Sequence, residues 1–450
     1  KPSITYGPCQ TPALGFCVAR QEEINGFQAQ KIWSPKLHVE VAGCQLHFEW
    51  QGGETQDAEE AAEIREALQR SSSSRLNLSI SEELLPRPLG LNTVALLRAA
   101  SNALNLGPKQ TMKLAEELYS SGLISYPRTE TSRYHGTFDA SASLRPLIET
   151  PLAGSARQAL RTWTGQKQSF RARDVGDHPP IVPLRAPGKG EIFGQQKRIY
   201  DYVCQHFIAS WLNDVKLKRY EATLDVKGFQ FQLVLKQIRG DQGWLKVMPW
   251  RLRELSLDDP GLTHRVAAVL QKLEGSRVTW ESRQVKLQQT WTQAPKPLTE
   301  AELVDLMDTH GIGTDASIPQ HIQTIQDRHY VQLTDGDGQA ILPSRWPPGK
   351  AAPKRAPGRF LVATPRGVAL VKGLSTCDAS LCEPEVRALI ERECGMVATA
   401  EMKQAEVLQR NVTLFRDKFQ HVAGSMDEIR SFFQQPVINE RARSKPKKKS

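Results

Sequence analysis

Residues 31–50, KIWSPKLHVEVAGCQLHFEW, alternate apolar and polar side chains and are rich in strand formers. That period of two predicts a hairpin, with LHFEW returning after a glycine turn. GGETQDAEEAAEIREALQRSSSSR predicts a polar helix with a solvated acidic face, closed by a serine-rich linker at residues 71–74. From Leu91 the period lengthens. LNTVALLRAASNALN and PKQTMKLAEELYSSG both carry helical apolar spacing, with Pro108 suited to a first helical position and Gly122 to the residue past a helix end. LISYP therefore begins an extended segment or loop directly after a helix stop. A further helix is predicted through KRIYDYVCQHFIASWLN, and strands at RYEATLDV, FQFQLVLKQI and WLKVMPW.

Strand, helix, then strand again predicts an all-helical unit inserted into a β domain, which the chain leaves near residue 90 and re-enters near 215. In LTEAELVDLMDTHGIGTDASIPQHIQTIQDRHYV, Thr299 and Glu302 form a capping box that opens a helix to about Thr309. Gly311 and Gly313 break it, Asp315 can cap a second helix reaching Asp327, and YVQLT reads as a strand. This order suits a winged helix and, equally, a helical hairpin that only packs a core. Residues 335–359 are rich in Pro, Gly, Lys and Arg and read as a basic loop. The tail from Arg441, RARSKPKKKS, is a basic run of the nuclear-import or nucleic-acid-arm type, a composition shared with plain disordered tails.

Charge narrows the partners. Lys and Arg total 59 against 49 Asp and Glu, a formal +10 over 450 residues. The surplus favours a polyanion, nucleic acid ahead of an anionic membrane, although a basic protein with neither has the same balance. The seven cysteines are odd in number and scattered without a C-x-x-C pair. That argues against a zinc ribbon and suits reduced thiols in a nucleus or cytosol. No apolar run approaches the ~20 residues of a membrane helix, and no signal peptide is visible. Opening on Lys1, the chain reads as a piece of a longer protein.

Candidate chemistry centres on GLISYPRTET. A free tyrosine hydroxyl, with a pKa near ~10, is a poor nucleophile without cationic neighbours. In an extended segment Arg128 shares a side with Tyr126, and its guanidinium can grip two phosphate oxygens. The spacing suits attack on a phosphodiester; by itself Tyr-Pro-Arg more often marks a turn with a packed ring and an exposed arginine. In DVGDHPPIVP two prolines hold His178 on rigid, extended backbone, fit to donate to a phosphate or to sit as an ordinary loop histidine. YGPCQTPALGF offers Gly, Gln and Thr groups for close approach to a sugar-phosphate backbone, or a plain turn.

GLISYPRTET, DHPPI, YGPCQTPALGF and LTEAELVDLMDTHGIGTDASIP together resemble the type IA DNA topoisomerases, and the eukaryotic topoisomerase III branch in particular. The resemblance covers about residues 1–432. It implies a multidomain α+β torus: a helical catalytic domain at 91–214, a β arch or hinge domain at 25–90 and 215–292, a winged-helix-like base domain at 1–24 and 293–432, and a basic tail at 433–450. It implies that Tyr126 is the nucleophile, keeping the 5′ phosphate as a phosphotyrosine, with Arg128 and His178 on the scissile phosphate. Strand passage and resealing would relax negative supercoils without ATP, in keeping with the lack of a G-x-x-x-x-G-K-[ST] loop. Gly7, Gln10 and Thr11, and Gly311, Gly313 and Thr314, match strand-contacting segments. Pro8 and Thr314 stand where bacterial topoisomerase I relatives have arginines. Arg98, Lys109 and Lys113, on the helices leading to Tyr126, are further phosphate contacts.

The family's Toprim domain, which holds Mg²⁺ on a D-x-D-x-E cluster, has no counterpart in the sequence. Mg²⁺ ligands are therefore expected on a Toprim domain supplied in cis or in trans, and no metal residue is assigned here. The chain alone is expected to bind single-stranded DNA but relax supercoils poorly. The resemblance further implies negatively supercoiled DNA as substrate, RNA as a second candidate, an OB-fold scaffold protein as partner, no membrane, and a nuclear or partly cytoplasmic location. The alternative is a non-enzymatic single-strand-binding scaffold. A tyrosine recombinase would need an Arg-His-Arg constellation around a C-terminal tyrosine, which is not evident.

Overall fold

The computed structural model describes residues 6–163, 168–176, 178–336, 338 and 358–434. Most of the basic loop and nearly all of the basic tail lie outside the described residues. Helix α1 (Gln10–Gly26) comes first. Strands β1 (Lys31–Val41) and β2 (Cys44–Trp50) form the expected hairpin. Ala42 and Gly43 turn it with φ of 52° and 72°, the left-handed pair that matches the twist of the strands. Helix α2 (Ala58–Arg70) is capped by Asp57, which accepts from the amides of Glu59 and Glu60. The expected serine linker is instead the start of a long strand, β3 (Ser73–Leu85). There the period of two carried by Leu76, Leu78 and Ile80 overrides the loop-like composition.

Helix α3 (Thr93–Ala99) continues through a π turn at Ala100–Leu104 and stops at left-handed Asn105. Helix α4 (Pro108–Ser120) has the expected proline start, with Gly122 at φ 67° past its end. Short helices α5 (Ala140–Leu144) and α6 (Ala153–Thr162) precede the long α7 (Gly194–Trp211). Strands β4 (Val215–Val226) and β5 (Phe229–Ile238) follow. WLKVMPW is not a strand: a 3₁₀ turn at Gly243–Lys246 and helix α8 (Trp250–Glu254) take its place. Trp244, Leu245, Val247 and Met248 are all buried on the helical unit, so alternation was the wrong period for them.

Next come α9 (Pro260–Leu273), β6 (Arg277–Thr279), β7 (Val285–Trp291) and β8 (Leu298–Thr299). Helix α10 (Glu300–Thr309) opens on the expected capping box, with Thr299 and Glu302 exchanging hydrogen bonds of 2.7 and 3.1 Å. Helix α11 (Ile318–Asp327) starts later than expected, without Asp315 as its cap. Strands β9 (Val331–Thr334) and β10 (Phe360–Ala363) precede helices α12 (Pro365–Asp378), α13 (Glu385–Ala398), α14 (Gln404–Gly424) and α15 (Met426–Gln434).

Seven antiparallel strands form one sheet in the order β6-β3-β4-β5-β2-β1-β7, and β8-β10-β9 form a second. Three cores result. Leu37, Phe48, Leu76 and Phe231 of the large sheet are buried with Ile64 of α2 and Leu270 of α9. Leu96, Leu118, Ile124, Val203 and Phe207 are buried within the helical unit. Leu14, Leu303, Ile322, Leu361 and Leu370 form the third core, around the small sheet. Val94, Leu97 and Met112 of α3 and α4 are buried in that third core, although they belong to the helical unit's own helices. The helical unit is thus docked through apolar side chains on the unit around the small sheet, the one expected as the base.

Candidate active site

Past Gly122 the chain runs extended because Leu123 and Ile124 have a buried place to go. Both are fully buried, as is Ile181, with Val182 almost so. The two segments pair antiparallel: Ser125 N–H donates to the Val182 carbonyl at 2.8 Å and Leu184 N–H to the Leu123 carbonyl at 2.9 Å. The Ser125 hydroxyl accepts from Val182 N–H at 2.9 Å. Pro179, Pro180 and Pro183 have no N–H to give, so the ladder stays this short. The pairing brings His178 to Tyr126, ring centroids 4.6 Å apart and edge-on. Tyr119 of α4 meets the same ring from another side at 5.2 Å. Tyr126 is half-buried, while His178 is exposed.

Thr93 fixes the backbone around Tyr126. Its fully buried hydroxyl accepts from Thr129 N–H at 2.8 Å, and its one proton serves the Pro127 carbonyl at 2.8 Å, the Thr129 carbonyl at 3.0 Å or the Asp315 carboxylate at 3.2 Å. Thr93 N–H donates to the Thr129 carbonyl at 3.0 Å. The Thr129 hydroxyl in turn donates to the His178 carbonyl at 2.7 Å. One pair of threonines thus ties the Tyr-Pro-Arg segment to α3 and to the histidine segment.

Arg128 is already occupied. Its Nε and Nη2 donate to one oxygen of Glu116 on α4, at 2.9 and 2.5 Å. Its Nη1 donates at 3.1 Å to the carbonyl of Ala316, in the turn before α11. Asp315, expected to cap α11, instead reaches Thr93 across the boundary between helical unit and base. Arg98 crosses the same boundary to Asp305, at 2.8 Å. Burial pushes the Asp305 carboxyl above its ordinary range, against the pull of Arg98.

Lys109 and Lys113 are exposed on α4. Their spacing places them on one helix face with Glu116, a basic row leading to Arg128. In the other matched segments, Gly7 N–H donates to the Thr11 hydroxyl at 3.3 Å, Thr11 is buried and Gln10 begins α1. Gly311 and Gly313 have φ of 64° and 81°. Thr314 N–H donates to the Ser317 hydroxyl at 2.9 Å, and the exposed Thr314 hydroxyl lies 3.4 Å from the same oxygen.

A family model described as DNA topoisomerase matches residues 1–344. The chain belongs to the DNA topoisomerase family. It is 35% identical over 432 residues to DNA topoisomerase 3-beta of Arabidopsis thaliana, covering 96% of this chain and 46% of that protein. It is 33% identical over 432 residues to DNA topoisomerase 3-beta-1 of Homo sapiens, covering 95% and 46%. The chain spans about half the length of the curated relatives it matches. Its fold is that of full-length topoisomerase I from Thermotoga maritima, with a TM-score of 0.66, 19% identity, and coverage of 94% of this chain and 64% of that one. The type IA topoisomerase fold is therefore the chain's architecture.

Around Tyr126, His178 and Arg128 the structure also gathers Glu116, Asp315, Thr93, Thr129 and Tyr119, which sequence reading had not placed in the candidate site. Glu116 and Tyr119 sit three apart on α4 and so share a face, a signal open to anyone placing Tyr126 at that helix's end. Asp315 carried no such signal. Among the described residues no three His, Cys, Asp or Glu side chains converge as metal ligands. Those residues do not fit Mg²⁺. No helix among them is long and apolar enough to cross a membrane.

Proposed function

We propose that this chain carries the strand-cleaving tyrosine of a type IA topoisomerase of the topoisomerase III branch. The observation that carries the reading is the pairing of residues 123–125 with 182–184, which sets Tyr126 and His178 ring to ring with Arg128 two residues on. Tyr126 Oη attacks a DNA phosphorus, and the new P–Oη bond replaces the P–O3′ bond. The one proton that Oη gives up balances the one that the departing 3′ oxygen takes as it leaves as a hydroxyl. Reversal after strand passage reseals the strand. One phosphoester replaces another, so no ATP enters. His178 donates to a phosphate oxygen. Arg128 exchanges Glu116 and Ala316 for phosphate oxygens, where a planar fork of donors is matched to the charge that develops.

The three separate cores support division into a base, a β arch and a helical catalytic domain, with the segment at 243–257 joining the last. Gly7, Gln10, Thr11, Gly311, Gly313, Thr314, Arg98, Lys109 and Lys113 contact the strand in this reading. Single-stranded or negatively supercoiled DNA is the substrate, and RNA the second candidate. Mg²⁺ enters on a Toprim domain, in cis or in trans, and an OB-fold scaffold protein is the inferred partner. The eukaryotic relatives support a nuclear location.

The test is covalent capture. Labelled single-stranded DNA is incubated with the chain and Mg²⁺, with and without a Toprim-bearing fragment, and then denatured. DNA should remain attached to the protein when the fragment is present, and Tyr126→Phe should abolish the attachment. Tight binding of the strand with no attachment under any of these conditions would leave the non-enzymatic scaffold instead.

A further inference from the structure

The two segments placed on the strand, residues 7–11 and 311–314, lie some three hundred positions apart in sequence, yet both meet the start of α13. Arg387 Nε donates to Cys9 Sγ at 3.1 Å. The next residue, Ala388, stands 4.0 Å from where a β-carbon on Gly311 would lie. His321 lies 3.2 Å from the corresponding point on Gly313. Burial and then the Arg387 charge hold its imidazole below the ordinary range. Arg387 is therefore wedged between the two segments.

Its hydrogen bonding is thin for a largely enclosed guanidinium, 19% exposed. A thiol sulfur is a weak acceptor. Nη2 pairs with Glu391 one helical turn on, and among the described residues no protein group accepts from Nη1. Neither segment contains a lysine or an arginine. Each offers backbone, amide and hydroxyl groups, which position a strand but do not neutralise it. A phosphate lying along both segments would find a fixed positive charge between them at Arg387.

We propose that Arg387 is a phosphate contact for the single strand, supplying the charge that residues 7–11 and 311–314 lack. This rests on the strand-binding reading above. Glu391 holds the guanidinium while no strand is bound and gives way to the phosphate. Arg387 touches no reacting atom in this account; it holds the strand that Tyr126 cuts.

The experiment is a titration of a fluorescent single-stranded oligonucleotide by anisotropy across a salt series. Each phosphate contact contributes about 0.7 to the slope of log affinity on log salt for single strands. Arg387→Gln should flatten the slope by about that amount and weaken low-salt binding by roughly 3- to 10-fold, while Arg387→Lys keeps the slope. Glu391→Gln leaves the contact to Cys9 in place and should tighten binding, which covers the case in which Arg387→Gln does not fold. A wild-type chain that binds the strand while Arg387→Gln keeps its slope overturns this proposal alone, as does an unchanged affinity in Glu391→Gln. A wild-type chain that fails to bind single strands overturns the strand-binding reading and this proposal with it.

Discussion

Arg128 donates twice to a single carboxylate oxygen of Glu116, at 2.9 and 2.5 Å. The pair is partly exposed, at 34% and 41%, so solvent screening limits its worth to about 0–1 kcal/mol. For the proposed phosphate clamp, that is enough to hold the guanidinium without strand and too little to keep it from a phosphate.

Glu116→Gln should therefore bind single-stranded DNA tighter by about 2- to 5-fold at low salt, with the gain fading as salt rises. Glu117→Gln is the control. It removes the same charge one residue away, where the carboxylate accepts from Gln196 at 3.4 Å. Equal gains in the two variants, read by anisotropy, would reduce the effect to net charge.

Thr93→Val keeps the shape of the buried side chain and removes the hydroxyl that serves Thr129 and Pro127. Orphaned buried groups cost about 1–3 kcal/mol, so denaturant midpoints should fall accordingly, and covalent capture through Tyr126 should drop further than stability does. Thr93→Ser should restore both. A fully active Thr93→Val would remove the threonine from the positioning of Tyr126.

His206 gives the helical unit an acid limit. The ring is buried in α7, donating from Nε2 to the Leu89 carbonyl at 2.9 Å and accepting at Nδ1 from the Tyr202 hydroxyl at 3.2 Å. Burial lowers its pKa from 6.5 to about 4. Between those values the unfolded chain takes up a proton that the folded chain refuses. The stability held above pH 6.5 is thus lost as pH falls toward 4. From pH 7 to pH 5 the loss is about 2 kcal/mol. Urea unfolding followed over this range should show a shallower pH slope in His206→Gln than in the wild type.

Gly313 and Gly122 both have left-handed φ, yet alanine should not affect them equally. A β-carbon at Gly122 meets nothing within 4 Å, whereas at Gly313 it comes within 2.8 Å of Ser317 Oγ, which already accepts from Thr314 N–H. Gly122→Ala should cost about 1 kcal/mol from backbone conformation. Gly313→Ala should cost more and weaken strand binding as well. Thermal shift and anisotropy on the two variants separate strain from displacement of the turn.

Local signals in the sequence were readable where one short stretch decides the outcome. The 31–50 hairpin, the proline start of α4 and the Thr299–Glu302 box all depend on residues within a few positions of each other. Residues 71–74 failed because serine composition says nothing about the leucine alternation that follows. Asp315 failed because an aspartate just before a helix looks like a cap, while its real partner, Thr93, is 222 residues away. The stretch around Tyr126 was picked out by Tyr-Pro-Arg and its companion motifs, and the structure sets His178 of one of those motifs against the Tyr126 ring. Glu116 was not, because a glutamate on a helix ordinarily faces water.

Arg128 also touches the Ala316 carbonyl, on the far side of the boundary between helical unit and base. In the proposed role, one side chain would report on two things at once: whether a phosphate is held, and whether two bodies of the protein are joined. By thermodynamic reciprocity, whatever factor a bound strand imposes on their separation, separation must impose on strand affinity. Prising the bodies apart and loading the clamp are two readings of one equilibrium.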